Sequence, residues 1–255
     1  MNKLLSFTLA IAILLVSCND NKKDDDKPIR LRMGLELHFN DDPLALGIVH
    51  LLNDSTEIVL ENTRFFLSHI RAVKQNGEVV ELEEYAFMDI REPINPNLPN
   101  RQSLTFDLPS GNYSHLMMNL GLDSAQNYSD PDSYPIDHPL STVTGMYWTW
   151  ATQYRFLMID GRANQPGELG TSDDRPFSYH PGGNHLYAED VMVEGPFNVP
   201  SSATSNITLR MNVATWFDGP GGKIDPFTEF AAHDAPSEQP LAIKFMTNFA
   251  DGLSF

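Results

Sequence analysis

The sequence predicts a mainly β fold, either a β-sandwich or an irregular β-barrel-like domain with long loops. Three observations carry this. Period-two alternation recurs along the chain, turn signals separate the alternating runs, and long helical periodicity is missing.

The first run is the clearest. Ile29, Leu31, Met33, Leu35, Leu37 and Phe39 alternate with Arg30, Arg32, Gly34, Glu36 and His38. Successive side chains of a strand point to opposite faces, so the two sets predict an apolar and a polar face. Residues 63–73 are rich in strand formers. Residues 113–122 place Leu116, Met118 and Leu120 on one face, and Ile207, Leu209, Met211 and Val213 alternate again. Residues 154–159 read as a strand covered on both sides. Turns are expected at Asn76-Gly77, Pro109-Ser110-Gly111, Asp160-Gly161 and Pro181-Gly182-Gly183. Two polar, Pro-bearing stretches, 123–144 and 161–176, read as long loops, which in a compact domain are commonly functional.

The N-terminus reads as an export device. One positive charge at Lys3 precedes an apolar run from Leu4 to Val16, too short for a stable membrane span. The run ends in Leu15-Val16-Ser17-Cys18, which resembles the bacterial lipobox, so residues 1–17 are expected to be a signal peptide and Cys18 the lipidated mature N-terminus. Cys18 is the sole cysteine, so the mature domain holds neither a disulfide nor a thiolate metal site. Residues 18–28 carry a polar, Asp- and Lys-rich segment expected to be a solvated tether. The remaining stretch, 29–255, is expected to be one domain with a full core. The protein is expected at the outer membrane, facing the periplasm or the cell surface.

The formal net charge is −17, which argues against nucleic acid as a partner, because phosphate contacts need a basic face. A nucleophile elbow, a Gly-rich phosphate loop and a paired-His zinc helix are all missing from the sequence, so a binding protein is expected rather than an enzyme. Eight histidines, His38, His50, His69, His115, His138, His180, His185 and His233, offer imidazoles that suit copper or zinc. Any one of them alone reads as a surface or hydrogen-bonded residue. Asp123, Asp130, Asp132 and Asp137 cluster without the spacing of a calcium loop, so structural calcium is not expected. The string Gly145-Met146-Tyr147-Trp148-Thr149-Trp150 holds two of the three tryptophans. By residue chemistry these are packing rings first, and redox-active or ligand-lining groups second.

At this string the chain resembles the MbnP-like copper-binding family. The matching motifs run through most of the domain: Leu35-Glu-Leu-His-Phe39, Pro43-Leu-Ala-Leu-Gly47, Phe65-Phe-Leu-Ser-His-Ile70, Pro109-Ser-Gly-Asn-Tyr113, Leu120-Gly-Leu-Asp-Ser124, Gly145 to Trp150, Tyr179-His-Pro-Gly-Gly183 and Asn248-Phe249. The resemblance implies copper, Cu(I) or Cu(II), held at the cell envelope by His38 and His180. It also implies a di-haem partner resembling cytochrome c peroxidase, which would oxidise a tryptophan to the kynurenine that completes the site. That tryptophan is expected two residues before His38, where this chain has Glu36. A carboxylate there favours Cu(II) or zinc over Cu(I). Glu36 and His185 are therefore candidate additional ligands, and Trp148 and Trp150 candidate redox or ligand-lining groups. The competing readings are a structural domain of the same fold with a decayed metal site, and a carbohydrate- or polymer-binding surface lipoprotein.

Overall fold

The structure, a computed structural model, describes residues 28–90, 101–149, 153–233 and 235–255. The signal peptide, Cys18, most of the tether and Trp150 lie outside them. It is mainly β, with two large curled sheets around one core and two small two-stranded sheets among the described residues. Among the described residues no helix is long and apolar enough to cross a membrane.

The alternating N-terminal run forms strand Pro28–Phe39, which lies inside the first sheet. On one side it pairs in parallel with strand Ser205–Asn212, from Leu31↔Ser205 to His38↔Asn212. On the other it pairs antiparallel with strand Arg101–Pro109, from Pro28↔Pro109 to Glu36↔Arg101. Leu31, Met33, Leu35 and Leu37 are buried in the core. A buried Leu or Met contributes about 1.5–3 kcal/mol over an exposed one, so a one-residue slip, which would turn all four outward, is strongly disfavoured.

The second sheet is organised by the 19-residue strand Thr56–Lys74. It pairs antiparallel with strand Val79–Asp89 across the Asn76-Gly77 turn, where Gly77 takes φ +88°. It also pairs with strands Gly111–Leu120 and Leu157–Asn164. Strand Arg175–Tyr179 pairs with the latter. Phe65, Phe66 and Leu67 are all fully buried, so this strand is covered on both faces there. Phe66 packs edge-on against Tyr154, whose hydroxyl donates to the Leu140 carbonyl of the 123–149 segment, and the turns of that segment are capped by its own polar residues. Asp123 and Gln126 form a capping box on helix Ser124–Asn127, and Asp130 caps the 3-10 turn Pro131–Ser133. The aspartates of this loop thus serve in part as local caps.

Three expectations are corrected. Asp160-Gly161 is not a turn but lies inside strand Leu157–Asn164, at a β-bulge where the pairing shifts from Asp160↔Asn62 to Gly161↔Leu60. The glycine is there for close approach: a Cβ would overlap the Val59 carbonyl oxygen and come within 2.5 Å of the Phe177 ring. The long loop after it therefore begins only past Asn164. Val213 does not extend a strand but opens helix Val213–Phe217, capped by the Asn212 side chain. Finally, the chain carries helix Gln239–Asp251. Ala242, Phe245, Met246 and Phe249 are buried on it at helical spacing, and Phe249 stacks on Trp216 with ring centroids 5.0 Å apart.

Candidate metal centre

The Tyr179-His180-Pro181-Gly182-Gly183 stretch leaves the second sheet beside strand Ala231–Ala232. These strands pair in parallel, Ser178↔Ala231 and Tyr179↔Ala232. The His180 backbone N–H donates to the Ala232 carbonyl at 2.7 Å. One residue further along this register His180 meets His233. Tyr179 is fully buried and packs on Phe245 at 4.4 Å between centroids. Strand alternation then turns His180 away from the core.

The two imidazoles stand edge to face, centroids 5.1 Å apart at 86°. Each has one ring nitrogen fixed by a carboxylate. His180 Nε2 is 2.7 Å from Asp160 Oδ1. The other Asp160 oxygen accepts from Asn62 Nδ2 at 2.7 Å, and Asn62 in turn accepts from Arg64 Nε at 2.9 Å. Burial pushes the Asp160 carboxyl up, but hydrogen bonds from His180 and Asn62, with the charges of His180 and Arg64, outweigh it and hold the group below its ordinary range. An ionised Asp160 accepts only, so Nε2 of a neutral His180 carries the proton and Nδ1 keeps the lone pair. His233 is set in the opposite sense. Its Nδ1 is 2.9 Å from Glu238 Oε2, which also accepts the His233 backbone N–H at 2.8 Å. Its Nε2 is 3.1 Å from Ser178 Oγ, a hydroxyl able to donate to it. Glu238 is the N-cap residue of helix Gln239–Asp251 and makes no capping bond with its side chain; that carboxylate is committed to His233.

Trp148, 44% exposed, closes one side of the pair. Its ring lies 5.7 Å from His233 and 6.4 Å from His180, edge-on to both, and Arg155 sits over its face at 5.1 Å. Tryptophan here is therefore more than core packing, because it touches both imidazoles.

His38 lies elsewhere. It is on the first sheet, 6% exposed, on the face opposite Leu35 and Leu37. Neither of its ring nitrogens has a hydrogen-bond partner, and Glu36 Oε2 stands 3.7 Å from Nε2. Glu36 is also 3.7 Å from Arg101. No described contact joins His38 to His180; the imidazole beside His180 is His233. His185 is exposed in the turn Asn184–Leu186, its ring folded back against Gly183. Among the described residues no three His, Cys, Asp or Glu side chains converge to hold a metal ion. The sequence pointed to His180 and Trp148. It gave no reason to single out His233, since only the register of Ala231–Ala232 brings that residue to His180.

The Asp160 carboxylate has a consequence for stability. Its folded pKa is depressed, so it stabilises the fold at pH values above the ordinary aspartate value of about 4. That contribution is lost as pH falls through the lower folded value. The urea midpoint is expected to fall between about pH 5 and pH 3, and to fall less in Asp160→Asn. Equal acid sensitivity in the two proteins would show that Asp160 is not held ionised by these partners.

A search of curated proteins returned no match. Among solved structures, MbnP from Methylosinus trichosporium is similar, with 17% identity and a TM-score of 0.49 over 76% of this chain and 78% of that one. The MbnP family model matches residues 28–234, from the first strand to the residue after His233. The match spans well over half of the sequence, and the chain is a member of the MbnP family.

Proposed function

We propose that this protein binds copper at the bacterial cell envelope, with His180 Nδ1 and His233 Nε2 as ligands and Trp148 covering the ion. One observation carries the reading: two adjacent imidazoles each have their second nitrogen tied to a carboxylate. Such outer carboxylates fix the tautomer and raise the basicity of a metal-binding histidine. Two imidazoles sharing one ion at about 2 Å per nitrogen place their centroids roughly 5 to 6 Å apart, the spacing found here. Imidazole is borderline in softness, and a site with two of them and no thiolate suits copper better than calcium or magnesium. Bound copper would supply redox chemistry; the chain's own part is to orient the two nitrogens, keep both unprotonated and cover one side with an indole, while the Ser178 hydroxyl, 3.1 Å from His233 Nε2, would yield that lone pair to the ion. His38, buried beside Glu36 with both nitrogens unpartnered, is a reserve ligand position separate from this pair.

The test is the metal content of protein isolated from its native envelope, followed by copper titration of the stripped protein. Stoichiometric copper with imidazole nitrogen in its X-ray absorption spectrum is expected. Protein that takes up no copper under reducing or oxidising conditions would leave a structural role in front.

The envelope placement rests on Cys18, which lies outside the described residues. Cys18→Ser is expected to release the protein from membranes or to leave its signal uncleaved. A mature-sized mutant still in the membrane fraction would overturn the lipid anchor.

A further inference from the structure

We propose that the cleft between strands Val79–Asp89 and Arg101–Pro109 docks an extended, positively charged peptide segment, taken up as an added β-strand. The two strands close the sheets on this side of the molecule, yet each pairs on one side only among the described residues. Val79–Asp89 pairs with the long strand Thr56–Lys74, and Arg101–Pro109 with Pro28–Phe39. Between them opens a cleft of about 810 Å³, within the size range of binding sites.

Gln102 shows what this edge accepts. It pairs with Leu35, on the core-facing side of its strand, where an apolar residue would be expected. Its amide reaches across the gap. Oε1 accepts from the Asp89 backbone N–H at 2.5 Å and Nε2 donates to the Phe87 carbonyl at 3.1 Å. One side-chain amide thus takes the place of a neighbouring strand's peptide group. In an antiparallel ladder the N–H and C=O of alternate residues point to the same side. The next such groups along this edge belong to Tyr85 and Glu83, both of which line the cleft. No strand pairs with them on that side among the described residues.

The walls fit an extended chain with alternating side chains. Ala86, Leu104 and Phe106 give an apolar side. The opposite wall is segment 136–144, held by His138, which stacks on Tyr134 at 4.1 Å, meets Tyr85 Oη at 3.1 Å and accepts the Leu140 N–H at 3.1 Å. The wall is therefore formed before any ligand arrives. Charge selects the partner. Glu83 and Asp137 are exposed on the rim, with Asp89 deeper in the cleft. Among the described lining residues the cation is Arg64, whose guanidinium hydrogen-bonds Asn62 and the Thr144 carbonyl, against the rim carboxylates of Glu83 and Asp137. Burial and the neighbouring charges of Glu84 and Glu83 also push the Tyr85 phenol up. Strand addition supplies affinity through main-chain bonds and specificity through alternate side chains, and a basic strand meets this rim with opposite charge.

The probe is a capped heptapeptide alternating Lys and Val, titrated into the full chain by isothermal calorimetry and followed by amide hydrogen exchange. Its controls are a Glu and Val heptapeptide and a Lys and Val heptapeptide with two central residues replaced by Pro, which cannot donate to a ladder. The Lys peptide is expected to bind and to slow exchange at Tyr85 and Glu83 by roughly fivefold or more. Glu83→Lys combined with Asp137→Lys should weaken it about tenfold while leaving circular dichroism and copper uptake unchanged. Copper uptake reports on the metal reading independently, because neither residue touches His180 or His233. Failure of the Lys peptide to bind, equal binding of either control, unchanged exchange at the two amides, or full affinity in the double variant would each overturn the proposal.

Discussion

Alanine at His180 or at His233 is expected to weaken copper binding at least about 100-fold. Each change leaves one imidazole where two are proposed, and removing only an outer-shell carboxylate already costs about 10–100-fold. Asp160→Asn should fall in that smaller range, since the amide can present a donor to His180 Nε2 and favour the wrong tautomer. Glu238→Gln should do the same through His233 Nδ1. His38→Ala is expected to change affinity less than about threefold, because its described partners are Glu36 and, through it, Arg101. The measurement is competition with a copper chelator of known affinity, with thermal melts alongside to show that each variant is folded. Affinity should fall with pH through the imidazole range, because protons compete for both nitrogens. Loss of affinity in His38→Ala with none in His233→Ala would replace this pair by the His38 and His180 pair that the family resemblance implies.

Sequence and structure agree where a local pattern is enough. Alternation in residues 29–39 predicted the strand, its faces and the placement of His38 on the face opposite Leu35 and Leu37, because side-chain period fixes the face; that His38 is nonetheless buried depends on what covers that face. The Asn76-Gly77 turn was equally legible, since its glycine takes a left-handed conformation that few other residues favour. What failed needed partners distant in sequence. Asp160-Gly161 has turn composition, but this glycine is required because another strand's carbonyl and the Phe177 ring lie against it. Helix Gln239–Asp251 was present in the pattern of Leu241, Ala242, Phe245, Met246 and Phe249, a helical repeat masked by the strand-rich character of the rest. The metal centre divides in the same way. The Tyr-His-x-Gly-Gly string marked His180, whereas His233 follows a short strand of two alanines whose only distinction is its register. Asp160 and Glu238, which set the tautomers, come from a bulge and from a helix start, and no linear motif joins them.

Gly161→Ala is expected to destabilise the fold by about 3 kcal/mol or more, at the upper end of overpacking costs. The added methyl would meet the Val59 carbonyl oxygen, which belongs to the paired long strand, and the buried Phe177 ring. Neither can move cheaply. Val59 O is backbone within the Thr56–Lys74 ladder, and Phe177 packs on Tyr179 at 5.4 Å and on Phe217 at 5.8 Å. For a domain of this size each kcal/mol lowers the melting temperature by about 2–4 °C, so a drop of roughly 10 °C is expected by scanning calorimetry. The same change reaches the metal centre. The bulge between Asp160 and Gly161 sets Asp160 beside Asn62 and under His180, so displacing strand Leu157–Asn164 also withdraws the carboxylate that orients the ligand. Copper affinity in folded Gly161→Ala should therefore fall toward that of Asp160→Asn. By contrast Gly167→Ala, in the outer loop where a methyl meets nothing within 4 Å but φ is +82°, should cost only about 1 kcal/mol and leave copper binding intact. A melting temperature for Gly161→Ala within 2 °C of the parent, for which roughly 1 kcal/mol or less would suffice, would mean that the bulge relaxes freely and does not fix Asp160.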